Sequence, residues 1–139
     1  NVKFQIWDTA GQERYRSLIR TYFRKTNVVI IAFDLTNLSS FINLEYWLEM
    51  AKELVPDNCL FVLIGTKADS KEIQVNTKKI EAFVNKTGIT YFEVSAKTCI
   101  GICDVFDYII EKLNFAPKNI NDVGVELVVN LNKKKGCKC

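Results

Sequence analysis

The 139-residue sequence contains no histidine. That absence excludes Ser-His-Asp triads, histidine-ligated metals and imidazole acid–base chemistry. Long apolar runs are also missing, since the longest, residues 28–33 and 59–64, fall far short of the roughly 20 residues in a bilayer-spanning helix. With 48% hydrophobic and 25% charged residues, the composition is ordinary for a globular protein, and the length corresponds to one domain with a real core.

The net charge of +3 is a feature of the C-terminal end. Residues 133–139 contain four lysines and no acidic residue, so the other 132 residues together carry one net negative charge. A body with this charge does not present a basic nucleic-acid-binding surface. We therefore expect no nucleic acid among the partners.

The five cysteines, an odd number without paired spacing, predict no disulfide framework. Cys59, Cys99 and Cys103 lie among apolar or neutral residues, and for them we expect plain packing. The start of the sequence shows no signal-like pattern, which favours a reducing compartment.

The most informative segment is residues 7–13, which read WDTAGQE. Residues 2–7 alternate apolar and polar side chains, the pattern of a half-buried strand, so Asp8 is expected at the carboxyl end of that strand. A carboxylate there can hold a phosphate-bound Mg²⁺ through water. Gly11 lets its N–H approach a γ-phosphate, and Gln12 can orient an attacking water. The segment thus predicts half of a GTP-hydrolysing site.

Residues 7–13 resemble the switch II segment of the Ras superfamily, and residues 5–7, 13–18, 22–24 and 31–36 resemble the Rab family in particular. The resemblance runs from residue 2 to about residue 115 and resumes at the last residues. It implies that Trp7 and Tyr22 belong to an aromatic triad that effectors contact, whose third member has no counterpart here. The alternative for both aromatics is ordinary core packing.

The guanine-binding half follows a continuous apolar run, residues 60–64, typical of a buried parallel strand. Residues 65–69 read GTKAD, where the family pattern is Asn-Lys-x-Asp. The resemblance implies that Asp69 accepts two hydrogen bonds from guanine, which adenine cannot offer, and that Lys67 lays its alkyl stem across the base. Thr66 replaces the family's asparagine, which puts in doubt its bond to the base and its brace to the phosphate loop.

A third base-contacting element is expected at residues 93–97, which read EVSAK after a strand-like stretch. By resemblance, Ser95 belongs to this element, Ala96 donates its backbone N–H to the guanine carbonyl, and Lys97 stacks on the base.

The phosphate-binding loop of this family is missing from the sequence. No two of the six glycines are five positions apart, and no Gly-Lys pair exists, so the pattern Gly-x-x-x-x-Gly-Lys-Ser/Thr is absent. The counterpart of the switch I threonine is absent too. Because Asn1 stands against a strand already under way, we expect that the sequence is truncated at the front. This polypeptide should then bind GTP poorly and hydrolyse essentially none.

The chain ends in KKKGCKC. Cys137 and Cys139 resemble the Cys-x-Cys ending of Rabs, in which both thiols carry geranylgeranyl groups. Two lipid chains give stable anchoring, and nearby lysines add about 1 kcal/mol each against an anionic leaflet. The alternatives are a solvated basic tail with free thiols and a weak metal-binding Cys-x-Cys.

Strands alternating with helices predict a doubly wound α/β domain. The resemblance specifies a P-loop NTPase-like, Ras-like, mostly parallel sheet that is truncated at its N-terminus and leaves unpaired edges. We expect a partial GTPase domain over residues 1–115 and a flexible tail over 116–139. Within it, residues 124–131 are expected to be disordered, with strand pairing or docking as alternatives. The predicted elements are a short helix at about 13–25, a strand at 27–34, helices at about 39–55, 77–86 and 102–115, and a strand at 90–94.

Two functions remain open. The first is a Rab-type GTPase of vesicle trafficking that uses GTP or GDP with Mg²⁺. The resemblance implies effectors, an exchange factor, a GTPase-activating protein, GDP dissociation inhibitor and Rab escort protein as its partners. It would cycle between the cytosol and the cytoplasmic face of endomembranes, Golgi or vesicles among them. The second is a truncated, non-catalytic, membrane-tethered interaction module.

Overall fold

The computed structural model describes residues 2–8, 23 and 25–113, together with the backbone of residues 126–127. The helix predicted at about 13–25 lies almost wholly outside these residues, as does the predicted domain boundary at 115. The strands within the described residues are β1 (Phe4–Gln5), β2 (Val28–Asp34), β3 (Leu60–Thr66), β4 (Thr90–Glu93) and β5 (Glu126–Leu127), and four helices are described over their whole length. The helices are α1 (Leu38–Ile42), α2 (Leu44–Lys52), α3 (Thr77–Thr87) and α4 (Ile102–Leu113).

A three-stranded parallel sheet in the order β2-β3-β4 forms the centre of the described region. Val28 pairs with Leu60, and Val62 pairs with Thr90, so all three carboxyl ends lie at one edge. Helices α1, α2 and α3 pack on one face around Phe33, and α4 packs on the other around Val62. This is the doubly wound, mostly parallel α/β arrangement that the sequence predicts.

The N-terminal strand departs from the prediction. Only Phe4–Gln5 is a strand, rather than residues 2–7, and it pairs antiparallel with Glu126–Leu127 outside the central sheet. An edge-to-face contact between Phe4 and Phe106, with ring centroids 5.1 Å apart, packs β1 against α4. Residues 126–127 thus pair as a strand, which is one of the two alternatives to the expected disorder. Among the described strands, β2 and β4 are the two edge strands of the three-stranded sheet.

The helix predicted at about 39–55 is interrupted. Asn37 caps α1 by accepting hydrogen bonds from the backbone N–H groups of Ser39 and Ser40, and α1 ends at Asn43. Helix α2 begins immediately afterwards and ends at Lys52, three residues earlier than predicted. The break is confined to Asn43, whose φ of −77° and ψ of −4° stay in the right-handed region and whose side chain makes no cap hydrogen bond.

Helix α3 follows its local signals. The side chain of Asn76 accepts from the Lys78 N–H at 2.8 Å, and Gly88 ends the helix in the left-handed region with φ 69°. Both the predicted start at Thr77 and the predicted glycine C-cap are confirmed.

The cysteine prediction needs correction. Cys99 and Cys103 are disulfide-bonded, whereas Cys59 is free. Burial raises the pKa of the Cys59 thiol to about 11, so that cysteine alone behaves as the packed residue expected for all three.

Candidate functional site

The predicted base-contacting residues come together where β3 and β4 end. Gly65 pairs with Glu93 at the ends of these strands, and the Ala68 N–H donates to the Val94 carbonyl at 3.1 Å. The loop that carries Lys67 and Asp69 is therefore tied to the start of the loop that carries residues 95–97. Carboxyl ends of parallel strands are where α/β sheets place ligand sites.

Ser95 holds Asp69 in place. Its hydroxyl donates to Asp69 Oδ1 at 2.6 Å and accepts from the Thr98 N–H at 3.1 Å, and its own N–H donates to the Ile100 carbonyl at 3.0 Å. The Ser95 residue is 0% exposed. Because a buried hydroxyl with all its partners has one orientation, the Asp69 carboxylate is held in one orientation too.

Asp69 is an anion at neutral pH. The hydrogen bond from Ser95, and to a smaller extent the charge of Lys97, lower the pKa of its carboxyl below the usual 3.8. Oδ1 is taken by Ser95, and Oδ2 lies 3.9 Å from Lys97 Nζ, with the Asp69 side chain 21% exposed. The carboxylate can accept further hydrogen bonds from a planar ring that offers two adjacent donors.

Lys97 borders this carboxylate, and Ala96 lies between Ser95 and Lys97 in the same loop. Both are exposed, and among the residues that the structure describes none accepts a hydrogen bond from the Ala96 N–H. A carboxylate, an available backbone donor and a long cationic side chain thus lie along one loop edge, which matches the acceptors and donors of guanine.

Lys67 occupies an uncommon backbone conformation. Its φ is 62°, in the left-handed region that L-residues other than glycine, asparagine and aspartate rarely enter. Its ammonium forms an ion pair with Asp34 Oδ2 at 2.6 Å, although the Lys67 side chain is 61% exposed. The ion pair places the alkyl stem of Lys67 across the ends of β2 and β3.

Asp34 is a site residue that sequence reasoning did not single out. Its Oδ1 accepts from the backbone N–H and the hydroxyl of Thr36, at 2.8 Å and 2.7 Å. Lys67 first, and Thr36 second, lower the pKa of the Asp34 carboxyl. The sequence signal that could have identified Asp34 is its position at the end of β2. Because β2 is adjacent to β3, the Asp34 carboxylate lies near the loop that follows Thr66.

Thr66, which replaces the family's asparagine, has a structural contact. Its hydroxyl donates to the Phe33 carbonyl at 3.0 Å, across the β2–β3 pair. The hydroxyl proton is therefore engaged between the two strands and is not directed at a base.

The phosphate-side residues are described only in part. Asp8 is exposed and lies three positions after β1 ends, so it does not sit directly at a strand end as predicted. Gly11 and Gln12 lie outside the described residues, as do Tyr22, Cys137 and Cys139. No cluster of three or more metal-binding side chains occurs in the described part of the chain. Asp8 by itself fits a water-mediated contact to Mg²⁺ and nothing stronger.

Trp7 is 52% exposed, which makes the core-packing alternative wrong for this residue. None of the helices in the described ranges has the length and apolar character needed to cross a bilayer.

Comparison with known proteins identifies the class. Residues 1–115 match the family model described as "Ras family". The match covers most of the chain, which therefore belongs to the Ras family.

Curated relatives narrow this identification. Ras-related protein Rab-2B of Dictyostelium discoideum is 38% identical over 128 residues, which cover 88% of this chain and 63% of the relative. Ras-related protein Rab5A of Oryza sativa subsp. japonica is 40% identical over 81% of this chain and 56% of the relative. Ras-related protein RabC of Dictyostelium discoideum is 32% identical over 98% of this chain and 71% of the relative. Within the Ras family, the chain is a Rab small GTPase. It spans less than two thirds of the length of the first two relatives.

Proposed function

We propose that this chain carries the guanine-selecting half of a GTP-dependent switch. The observation that supports the proposal is the Ser95–Asp69 hydrogen bond of 2.6 Å. It links two loops whose bonded residues are 26 positions apart in the sequence, so that both loops can contact one base. Asp69 accepts from the guanine N1–H and exocyclic amine, and the Ala96 N–H donates to the guanine carbonyl. Adenine has no such donor pair, so it would not form the two hydrogen bonds that guanine offers to Asp69.

The two lysines contribute differently. Lys97 is 83% exposed at the edge of Asp69, so its side chain is free to move over a bound base. Lys67 is held by Asp34, so its stem is already positioned before a base arrives. Preorganisation of this kind reduces the ordering entropy that binding must overcome.

In the complete protein, the same nucleotide would be hydrolysed. Asp8 would hold Mg²⁺ through water, Gly11 would donate its N–H to the γ-phosphate, and Gln12 would orient the attacking water. The metal would neutralise charge on the phosphate oxygens. This assignment follows the Rab family pattern of residues 7–13.

The proposed cellular role is a Rab switch in vesicle trafficking. Geranylgeranyl groups on Cys137 and Cys139, next to the lysines of residues 133–138, would attach the protein to the cytoplasmic face of endomembranes. Trp7 and Tyr22 would contact effectors in the GTP state. An exchange factor, a GTPase-activating protein, GDP dissociation inhibitor and Rab escort protein are proposed as the regulators.

Base selection is tested by ligand-observed NMR on the chain with GDP, ADP and xanthosine diphosphate. GDP should give saturation transfer and ADP none, because the three ligands differ only in the base. Asp69→Asn keeps the shape of the side chain but turns one acceptor into a donor. This variant should no longer bind GDP and should bind xanthosine diphosphate instead, because the xanthine ring has a carbonyl in place of the exocyclic amine.

Thr66→Val is the matched control. It retains the shape of Thr66 and removes only a hydroxyl engaged with Phe33, so it should leave the preference for GDP over ADP intact. Equal signals from GDP and ADP with the unmodified chain would refute guanine selection and favour the non-catalytic interaction module.

A further inference from the structure

Asp34 ends β2 at the same edge of the sheet where the loops of the candidate base site begin. It pairs with Thr66, the last residue of β3, so Lys67 is the first residue beyond the neighbouring strand. The Leu35 N–H donates to the Thr66 carbonyl at 3.1 Å, which keeps the two strand ends in this register. The side chain at position 34 is therefore within reach of the side chain at position 67.

Local contacts hold Asp34 in one conformation. Its backbone N–H donates to Ser40 Oγ at 2.9 Å, which fixes the main chain where β2 ends. Its Oδ1 accepts from the N–H and the hydroxyl of Thr36, at 2.8 Å and 2.7 Å, which fixes the carboxylate. The other oxygen, Oδ2, lies 2.6 Å from Lys67 Nζ, and the Asp34 side chain is only 22% exposed. Asp34 thus presents a fixed anion to Lys67.

The backbone of the loop around Lys67 is fixed as well. The Ser70 N–H donates to the Lys67 carbonyl at 2.9 Å, and the next residue, Ala68, donates its N–H to the Val94 carbonyl at 3.1 Å. Lys67 keeps its left-handed φ of 62° between these contacts. The freedom that remains to Lys67 is that of its long side chain, which would sample many rotamers without a partner.

We propose that Asp34 is a positioning residue for nucleobase binding, which restrains the Lys67 side chain across the ends of β2 and β3 before a base arrives. In this role Asp34 needs no contact with the base. The ion pair removes rotamer freedom from Lys67 in the free protein, so less of that freedom is lost on binding. The role rests on the proposed function, because it concerns the same base site.

The expected effect is a small factor in affinity. Solvent screens the attraction because the Lys67 side chain is 61% exposed, and pairs of this kind change an equilibrium by about 1.5- to 5-fold. Asp34→Asn should therefore weaken guanosine binding by about threefold. Asparagine is a suitable replacement, since its carbonyl oxygen still accepts from Thr36 whereas its amide nitrogen cannot pair with an ammonium.

The Lys67 ammonium reports the restraint without any ligand. Its nitrogen–proton NMR signal can be assigned by its disappearance in Lys67→Met. The signal should be sharp at low temperature in the unmodified chain, because an ion pair slows exchange of the ammonium protons with water, and should broaden in Asp34→Asn. A Lys67 signal that is the same in both proteins would overturn the proposal.

A double-mutant cycle tests whether Asp34 acts on binding through Lys67. Ligand-observed NMR titrations with guanosine are made on the unmodified full chain, Asp34→Asn, Lys67→Met and the double variant. Methionine keeps an unbranched apolar stem and removes the ammonium. Asp34→Asn should weaken guanosine binding when Lys67 is present and have no effect in Lys67→Met. An equal loss in both backgrounds would show that Asp34 supports only the end of the strand, and would refute the positioning role.

Salt provides a readout that a packing role would not move. Guanosine is uncharged, so salt affects its binding mainly through ion pairs of the protein. Between about 20 mM and about 500 mM NaCl, guanosine binding to the unmodified chain should weaken toward that of Asp34→Asn. Lys97 and Asp69, 3.9 Å apart, remain in both chains and serve as the internal control. Salt dependence of equal size in the two chains would contradict the role of Asp34.

The nucleosides separate this inference from the proposed function. If guanosine and adenosine bind equally while the cycle shows coupling, guanine selection fails and the positioning of Lys67 by Asp34 stands. If guanosine is preferred and the cycle shows no coupling, the base site stands and the role of Asp34 is wrong. If neither nucleoside binds, both are wrong.

Discussion

Gly65 precedes the loop that carries Lys67 and Asp69, and its lack of a side chain makes room for Tyr91. A Cβ at position 65 would lie 2.5 Å from the Tyr91 hydroxyl oxygen and 3.2 Å from two carbons of Leu35. In Gly65→Ala the half-buried Tyr91 ring, which stacks on Phe33 with centroids 6.0 Å apart, has to shift. Overpacking of this kind costs about 1–3 kcal/mol, and alanine in a strand recovers about 0.5–1 kcal/mol over glycine. We therefore expect a net loss of about 1–2 kcal/mol.

Removing the Tyr91 hydroxyl separates the contact of the new Cβ with Tyr91 from its contact with Leu35. Tyr91→Phe alone loses only a 3.2 Å hydrogen bond to the exposed Glu93, which should cost about 0.5 kcal/mol. In the Tyr91→Phe background, Gly65→Ala should cost less than about 0.5 kcal/mol, because the closest atom is gone. The double-mutant cycle should give a coupling energy of about 1 kcal/mol.

Urea unfolding of the four proteins measures these free energies. Burial, and next the charge of Glu93, raise the pKa of the Tyr91 phenol well above its usual 10.0, and a ring displaced by Gly65→Ala should titrate closer to that value. An equal cost of Gly65→Ala in both backgrounds would refute the argument, since it would place the clash at Leu35.

Three further predictions concern the same loops. Gly101→Ala should destabilise the fold by about 3 kcal/mol or more in urea unfolding, because the new Cβ meets a backbone oxygen of Glu93 that cannot move aside. The folded-state pKa values of Asp34 and Asp69 are lowered, so their contribution to stability is complete above about pH 5 and is lost as the pH falls below about 4, which unfolding at a series of pH values should show. Ser95→Ala should raise the pKa of the Asp69 carboxyl toward 3.8, as followed by carbon NMR.

Each of these three predictions has a matched control. Gly88 also has a positive φ, 69°, but no atom lies within 4 Å of a Cβ there, so Gly88→Ala should cost only about 1–2 kcal/mol of backbone strain. Equal costs at Gly88 and Gly101 would contradict the clash. Thr98→Ala retains the backbone N–H that Ser95 accepts and should leave the Asp69 pKa unchanged. In Asp34→Asn the free energy of unfolding should fall less steeply as the pH is lowered. An unchanged dependence on pH would count against the ion pair between Asp34 and Lys67.

What the sequence predicted correctly rests on local signals. Asn76 and Gly88 fix the two ends of α3 because a cap depends on residues within one helical turn. The apolar run of residues 60–64 identified β3, since a strand covered on both faces has no polar alternation. The position of the base loops followed from the same strands.

What the sequence did not predict depends on contacts between distant segments. The Lys67–Asp34 ion pair requires β2 and β3 to end side by side, and the Thr66–Phe33 bond requires the same register. The pairing of β1 with residues 126–127 joins the two ends of the chain, a contact that no local pattern encodes. Counting cysteines also did not reveal that Cys99 and Cys103 are disulfide-bonded.

We expect base selection and phosphate affinity to be separable in this chain. The described contacts that orient Asp69 come from Ser95 and Lys97, and none of them involves residues 2–8. Guanosine, which has no phosphate, should therefore bind the chain about as well as GDP in the same NMR experiment, and both should bind better than adenosine. Binding of GDP much tighter than guanosine, and dependent on Mg²⁺, would show that phosphate contacts exist and would contradict the expectation of poor GTP binding. Equal binding would show that Asp69 selects its base through the loops after β3 and β4 alone.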